Sequence, residues 1–193
     1  MITGAIILAG GRSRRMGSNK LLADLGGKPV IAHVADAVRA AGLPALAVLG
    51  HEPDAVRAAL GPIDCIIAHD HAEGIARSIA AGIAAIDWGA AILCLGDMPR
   101  ISPQLLRLLA DEASSNAILV PAHAGRRGNP VTWGCQYFAE LIQLRGDTGG
   151  RALFANHDIT EIPWTDDDIF ADVDTPEALA SIRHDIDLGV RAP

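Results

Sequence analysis

Short apolar runs alternate along this chain with longer amphipathic stretches. Residues 5–9 form an unbroken apolar run, the length and composition of a strand buried on both faces. Pro29 opens a stretch to position 41 in which Val30, Ile31, Val34 and Val38 share a helical face, and Gly42 closes it. Residues 45–49 read as a second strand, 53–60 as a short helix stopped by Gly61-Pro62, and 65–68 as a third strand. Ile75, Ile79, Ile83 and Ile86 mark a helix over 74–86, and 91–95 reads as a fourth strand. Ser102 caps a helix through 110 with Pro103 at its first position, and 117–120 is a fifth strand. The polar, glycine-rich stretch 123–134 reads as a hairpin or flap inserted over the sheet edge. Helices follow over 135–144 and 149–156, with short strands over 159–162 and 169–173. Thr175 caps a last helix, with Pro176 first and Glu177 in its first turn.

Strand–helix alternation with short loops predicts an α/β chain: a Rossmann-like three-layer sandwich around a predominantly parallel, mixed sheet. With no internal repeat and no linker, residues 1–193 are expected to form a single domain. In such sheets ligands bind beyond the carboxyl ends of the strands, so the loops that follow strands carry the functional reading.

Composition narrows the class. Half of the residues are apolar and 20% are charged, which suits a soluble globular fold. Sixteen basic against 23 acidic residues give a net charge of -7, which disfavours nucleic acid as a partner. No basic leader opens residues 1–9, and no apolar run approaches the roughly 18 residues of a membrane span. A cytoplasmic protein without membrane contact is therefore expected. Cys65, Cys94 and Cys135 are far apart, and the first two lie in apolar runs, so they read as buried thiols.

Against that acidic background, residues 10–20 stand out. Gly10, Gly11 and Gly17 alternate with Arg12, Arg14, Arg15 and Lys20 directly after the first strand. Glycine permits close backbone approach to a ligand. Backbone N–H groups, guanidinium forks and an ammonium suit a polyphosphate. A solvated surface turn is the plain alternative. Asp97, in Gly96-Asp97-Met98-Pro99, follows the fourth strand and could hold Mg²⁺ against phosphate oxygens, or simply cap a turn; Met98 reads as packing. Asp172 and Asp174 fall on one face of an extended segment and could add metal ligands from a second loop, or Asp174 could cap the helix. Asp166, Asp167 and Asp168 read as a solvated loop.

Further candidates surround these. Gly74 and Ser78 lie at the helix start after the third strand, where Ser78 could meet a base, ribose or phosphate or serve the helix surface. His69 and His71 flank Asp70 without a third ligand at useful spacing. Arg126 and Arg127, within 125–130, could clamp a second substrate or form a plain turn. Asp147, within 146–151, could cap a helix or touch a ligand. His123 has no partner for proton transfer legible from spacing.

Together these residues resemble the MobA-like nucleotidyltransferase family. Residues 8–20 look like its signature LAxGxSxRMGxxK, and the resemblance continues through 74–78, 96–99, 125–130, 146–151 and 172–176. It implies a nucleotide-diphospho-sugar transferase type of fold. It also implies transfer of a nucleoside monophosphate from an NTP to a phosphate-bearing acceptor, with Mg²⁺ and release of pyrophosphate. On that resemblance Leu8, Ala9, Gly10 and Gly11, with Gly74 and Ser78, line the nucleotide. Arg15 and Lys20 hold the triphosphate and Asp97 binds Mg²⁺; these three are the candidates for catalysis. Asp174, with Asp172, matches a late metal-binding carboxylate.

Within the family the resemblance is greatest to the molybdenum cofactor cytidylyltransferases, which use CTP and molybdopterin. Lys20 follows Gly17 by three residues, as in the cytidylyl pattern. Gly10 departs from it, matching the guanylyl form LAGG, and Asn19 replaces a proline common before the lysine. GTP is therefore the alternative donor, and a sugar- or alcohol-phosphate the alternative acceptor. A nucleotide-binding accessory protein for molybdoenzyme maturation is the non-enzymatic alternative. The implied partners are the nucleotide, the phosphorylated pterin, and a molybdoenzyme or its chaperone.

Overall fold

The computed structural model describes residues 1–11 and 19–187. In chain order, β1 (Thr3–Ala9), β2 (Asp24–Leu25) and β3 (Lys28–Pro29) precede α1 (Val30–Ala41). Strands and helices then alternate as β4 (Ala45–Leu49), α2 (Pro53–Leu60), β5 (Asp64–Ile67), α3 (Ile75–Ala84), β6 (Ala90–Leu95) and α4 (Pro103–Asp111). β7 (Ile118–His123), β8 (Arg126–Arg127) and β9 (Val131–Gly134) come in succession, followed by α5 (Phe138–Gln143), β10 (Thr160–Pro163) and α6 (Pro176–Asp187).

The main sheet runs β10-β7-β9-β6-β1-β4-β5, with β8 paired to β7. β1, β4, β5 and β6 are mutually parallel, as are β7 and β10, and β9 is antiparallel to both of its neighbours. β1 is apolar from Gly4 to Ala9 because helices cover both of its faces. Its residues divide with period two. Ala5, Ile7 and Ala9 pack with Ile31, Val38, Leu105 and Leu109 of α1 and α4. Ile6 and Leu8 pack with Ala76, Ile79 and Ile83 of α3. That split makes the three layers. Among the described residues no helix is long and apolar enough to cross a membrane.

Local signals placed most boundaries. Gly42 ends α1 at φ 75, and the Ser102 hydroxyl accepts from the N–H groups of Gln104 and Leu105 at the start of α4. Pro29 is not inside α1; it ends the small β2–β3 hairpin and stands at the helix N-cap.

The structure differs from four expectations. Residues 123–134 are a hairpin only in their first part. β8 does turn back on β7, but 131–134 is a fully buried strand between β6 and β7. Among the described residues it pairs with β7, shortly before it, and with β6, far earlier in the chain, and its insertion between the two is not announced by a local pattern. Residues 169–173 are not a strand: a 3-10 turn spans Asp167–Phe170, and the backbone beyond it bonds to loops instead of a ladder. Asp168 is not solvated. It is 7% exposed and accepts the indole N–H of Trp164 at 2.8 Å. Residues 149–156 adopt 3-10 geometry instead of an α-helix.

Candidate active site

β1 and β6 are adjacent and parallel, while the chain after β1 proceeds through β4 and β5 on the other side. Loops leaving β1 and β6 therefore diverge, and a crevice opens between them, as expected at a topological switch point. Gly10 and Gly11 follow β1; Gly96 and Asp97 follow β6. A cleft of about 340 Å³ lies there.

Leu8, Gly10, Gly11, Lys20, Gly74, Ser78 and Asp97 all line this one cleft. Ala9 does not. It is the alternate position on β1, is 1% exposed, and packs into the opposite core layer. Arg15, with the rest of 12–18, lies outside the described residues.

Lys20 is positioned by a short 3-10 turn, Lys20–Leu22, whose Leu21 N–H donates to the buried side chain of Asn19 at 3.2 Å. Its ammonium lies 2.5 Å from Asp97 Oδ2 and 2.5 Å from Asp174 Oδ1. Asp174 reaches this point from far along the chain because Val173, fully buried with Leu25, Val30 and Ile182, donates its N–H to the Asp97 carbonyl at 2.9 Å. Asp172 points its electrostatic influence at the same group but lines a neighbouring cavity. Burial pushes the Asp97 carboxyl upward; the Lys20 ammonium opposes that, Asp172 and Asp174 reinforce it, and burial prevails. Burial also disfavours the Lys20 charge, but its carboxylate partners outweigh it and hold the ammonium above its usual value.

The far wall is built on glycine. Gly74 has φ 119, and a side chain there would overlap the Gly146 carbonyl. Gly146 in turn accepts the N–H of Ala76 at 3.2 Å, which seats the 146–149 turn against α3 and brings Asp147 to the cleft. At Gly10 a Cβ would lie 2.5 Å from Ser78 Oγ. His71 also lines the cleft, with Nδ1 on the Ala68 carbonyl at 2.9 Å. His123 instead bonds the Trp164 carbonyl through Nδ1 at 3.0 Å.

A second cavity of about 240 Å³ adjoins the first, lined by Met98, 126–129, Arg151, Ile169, Phe170 and Asp172. Asp97 and Met98 are consecutive, one in each cavity. Arg126 stacks over Phe170, 4.3 Å from the ring centroid, and Arg127 pairs with Glu161 at 2.7 Å. Arg151 donates to the carbonyls of Gly128 at 2.6 Å and Arg127 at 3.3 Å, and so braces the basic turn.

The carboxylates fit a hard divalent cation. Asp97 Oδ1 is buried without a hydrogen-bond partner, and a positive charge already stands against Oδ2. Among the described residues no group of three or more His, Cys, Asp or Glu forms a complete metal cage. Mg²⁺ commonly needs none, because one or two carboxylates combine with water and substrate phosphates.

Residues 5–161 match the family described as MobA-like NTP transferase domain. The chain belongs to that family. It is 28% identical over 108 residues to the molybdenum cofactor cytidylyltransferase of Escherichia coli (strain K12), covering 56% of each chain. It is also 28% identical over 131 residues to the probable molybdenum cofactor guanylyltransferase of Pyrococcus horikoshii, covering 62% of this chain and 67% of that one. The first match thus spans little more than half the length of its relative. Rv0371c from Mycobacterium tuberculosis H37Rv has been solved with a TM-score of 0.85 to this chain, at 30% identity over 95% of this chain and 98% of its own. A structure of Rv0371C with manganese superposes at a TM-score of 0.83, with 27% identity and coverage of 95% and 99%. The fold is that of the nucleotide-diphospho-sugar transferases.

One positioning residue escaped the motif reading. Gly50, after β4, meets the Gly10 backbone so closely that a Cβ would lie 2.8 Å from Gly10 Cα. A glycine directly after an apolar run was its available signal. Arg151 lies in the 146–151 segment already singled out, but its role in bracing the 126–128 turn follows no spacing rule.

Proposed function

We propose that this protein transfers a nucleoside monophosphate from CTP to the phosphate of molybdopterin and releases pyrophosphate. The observation that carries the reading is the Lys20 ammonium, held between Asp97 and Asp174 in the cleft that Gly10 and Gly11 also line. That set matches the needs of a triphosphate: a point charge, close backbone approach, and carboxylates for a metal.

The two adjoining cavities support a two-substrate reaction. The glycine-walled cleft takes the nucleotide, and the arginine-lined cavity takes the phosphorylated acceptor. An acceptor phosphate oxygen forms the new bond to the α-phosphorus while the bond from that phosphorus to the pyrophosphate oxygen breaks. Lys20 holds phosphate oxygens. Asp97 and Asp174 would hold Mg²⁺, which supplies neutralisation of phosphate charge when bound. Arg126 and Arg151 orient the acceptor. Positioning and charge neutralisation are the chain's contribution, and no covalent protein intermediate is required.

GTP is the second reading, favoured by Gly10, which matches the guanylyl form of the signature. The test supplies CTP, GTP, ATP and UTP separately with molybdopterin and Mg²⁺ and follows pyrophosphate release and the dinucleotide product. Turnover with CTP is expected. Product from GTP alone overturns the assignment of CTP, and no product with any nucleotide favours an accessory role.

A further inference from the structure

We propose that Lys20 is an internal counter-ion that stands in the metal position before substrate binds and leaves it when a triphosphate draws it away. The proposal rests on the nucleotidyltransferase reading and concerns how that same site is loaded.

One nitrogen serves both carboxylates. Lys20 Nζ lies 2.5 Å from Asp97 Oδ2 and 2.5 Å from Asp174 Oδ1. The Lys20 and Asp97 side chains are only 14% and 17% exposed, so their attraction is weakly screened. A divalent cation bound to the same two oxygens would stand about 2.1 Å from each. It cannot share that space with the ammonium, so entry of the metal requires exit of the lysine. The ammonium also leaves capacity unused, because Asp97 Oδ1 is buried without a partner. Asp97 is thus placed to accept a further ligand at Oδ1.

Exit requires somewhere to go. The same ammonium lines the cleft beside Gly10 and Gly11, where the triphosphate is placed. The lysine stem has four rotatable bonds, so Nζ can move from the carboxylates to phosphate oxygens without a backbone shift. A metal arriving alone must displace Lys20 from both carboxylates with no phosphate to receive it. A metal arriving with a triphosphate finds Lys20 rebound to phosphate. Metal and triphosphate therefore bind with positive coupling, and by linkage each favours the other equally.

The test measures Mn²⁺ binding alone, by loss of the free-ion electron paramagnetic resonance signal, to wild type, Lys20→Met and Lys20→Gln. The glutamine variant keeps N–H donors for Asp97 and Asp174 and carries the test where the methionine variant folds poorly. Both variants are expected to bind Mn²⁺ at least about tenfold more tightly than wild type, and Asp97→Asn in the Lys20→Gln background to abolish that gain. Equal affinity of wild type and variants overturns the exchange while leaving the metal site standing. Tight binding that survives Asp97→Asn places the ion elsewhere and also overturns it. Absence of Mn²⁺ binding in every protein, with and without a non-hydrolysable triphosphate, overturns the metal site and the exchange together.

Discussion

The backbone N–H of Val173 donates to the backbone carbonyl of Asp97 at 2.9 Å. This bond joins the loop after β6 to the segment that leads into α6, and it delivers the Asp174 carboxylate to Lys20. Val173 is fully buried, so its side chain anchors the arrangement. Val173→Ala removes two methyl groups and should cost about 2 kcal/mol in urea denaturation. It should also weaken metal binding, because Asp174 loses its support. Unchanged metal affinity alongside reduced stability would show that Asp174 is positioned by something else.

Gly10 and Ser78 compete for one volume. Gly10→Ala should cost about 1–3 kcal/mol, since the new Cβ would meet Ser78 Oγ at 2.5 Å. Ser78→Ala removes that obstacle, so the double variant should recover most of the loss. The two changes should therefore be strongly non-additive in a denaturation cycle. Strict additivity would contradict the contact.

Lys20→Ala and Asp97→Asn should each lower turnover about 100-fold or more while the circular dichroism spectrum stays that of the folded protein. Both partners are largely buried. Loss of one strands the other, and Lys20→Ala should cost stability of about 3–5 kcal/mol. Turnover near wild type in either variant would remove that residue from the proposed chemistry.

Arg126 lines the second cavity and stacks on Phe170. Arg126→Ala should raise the KM for the acceptor severalfold and leave the KM for the nucleotide unchanged. A change confined to the nucleotide would place the acceptor elsewhere.

His33 offers a pH test away from the cleft. It is 3% exposed, its Nε2–H donates to the Leu25 carbonyl at 2.8 Å, and Nδ1 is buried without a partner. Burial lowers its pKa below 6.5, against the opposing pull of the Leu25 carbonyl. A base that protonates less readily when folded contributes stability above its unfolded value and loses it as pH falls through the lowered folded value. Stability should therefore decline on acidification below 6.5, and His33→Gln should flatten that part of the profile. An NMR titration that places His33 at or above its ordinary value would contradict this.

The contrast between residues 53–60 and 131–134 shows what a linear reading reaches. Pro53, the apolar spacing of Val56 and Leu60, and Gly61 mark α2 within nine residues, and the helix has those limits. The 131–134 strand has no comparable local mark, since its stability comes from ladders with β6 and β7 on either side. The late carboxylates divide in the same way. Their identity and the Thr175 cap were legible, and Thr175 Oγ1 does accept the N–H of Ala178 at 3.2 Å. The extended strand expected for them was not formed, because Asp168 turns inward to Trp164 and ends the alternation at Ile169.

By itself the sequence determined the α/β alternation, the capped helix ends such as those at Gly42, Gly61 and Ser102, and the residue types gathered for a triphosphate, because these depend on neighbours along the chain. Tertiary structure alone decided which of those residues meet. The switch point between β1 and β6 puts Gly10 opposite Asp97, and the burial of Val173 brings Asp174 to Lys20. Such contacts join distant segments through packing and shared hydrogen bonds, and no local periodicity encodes them.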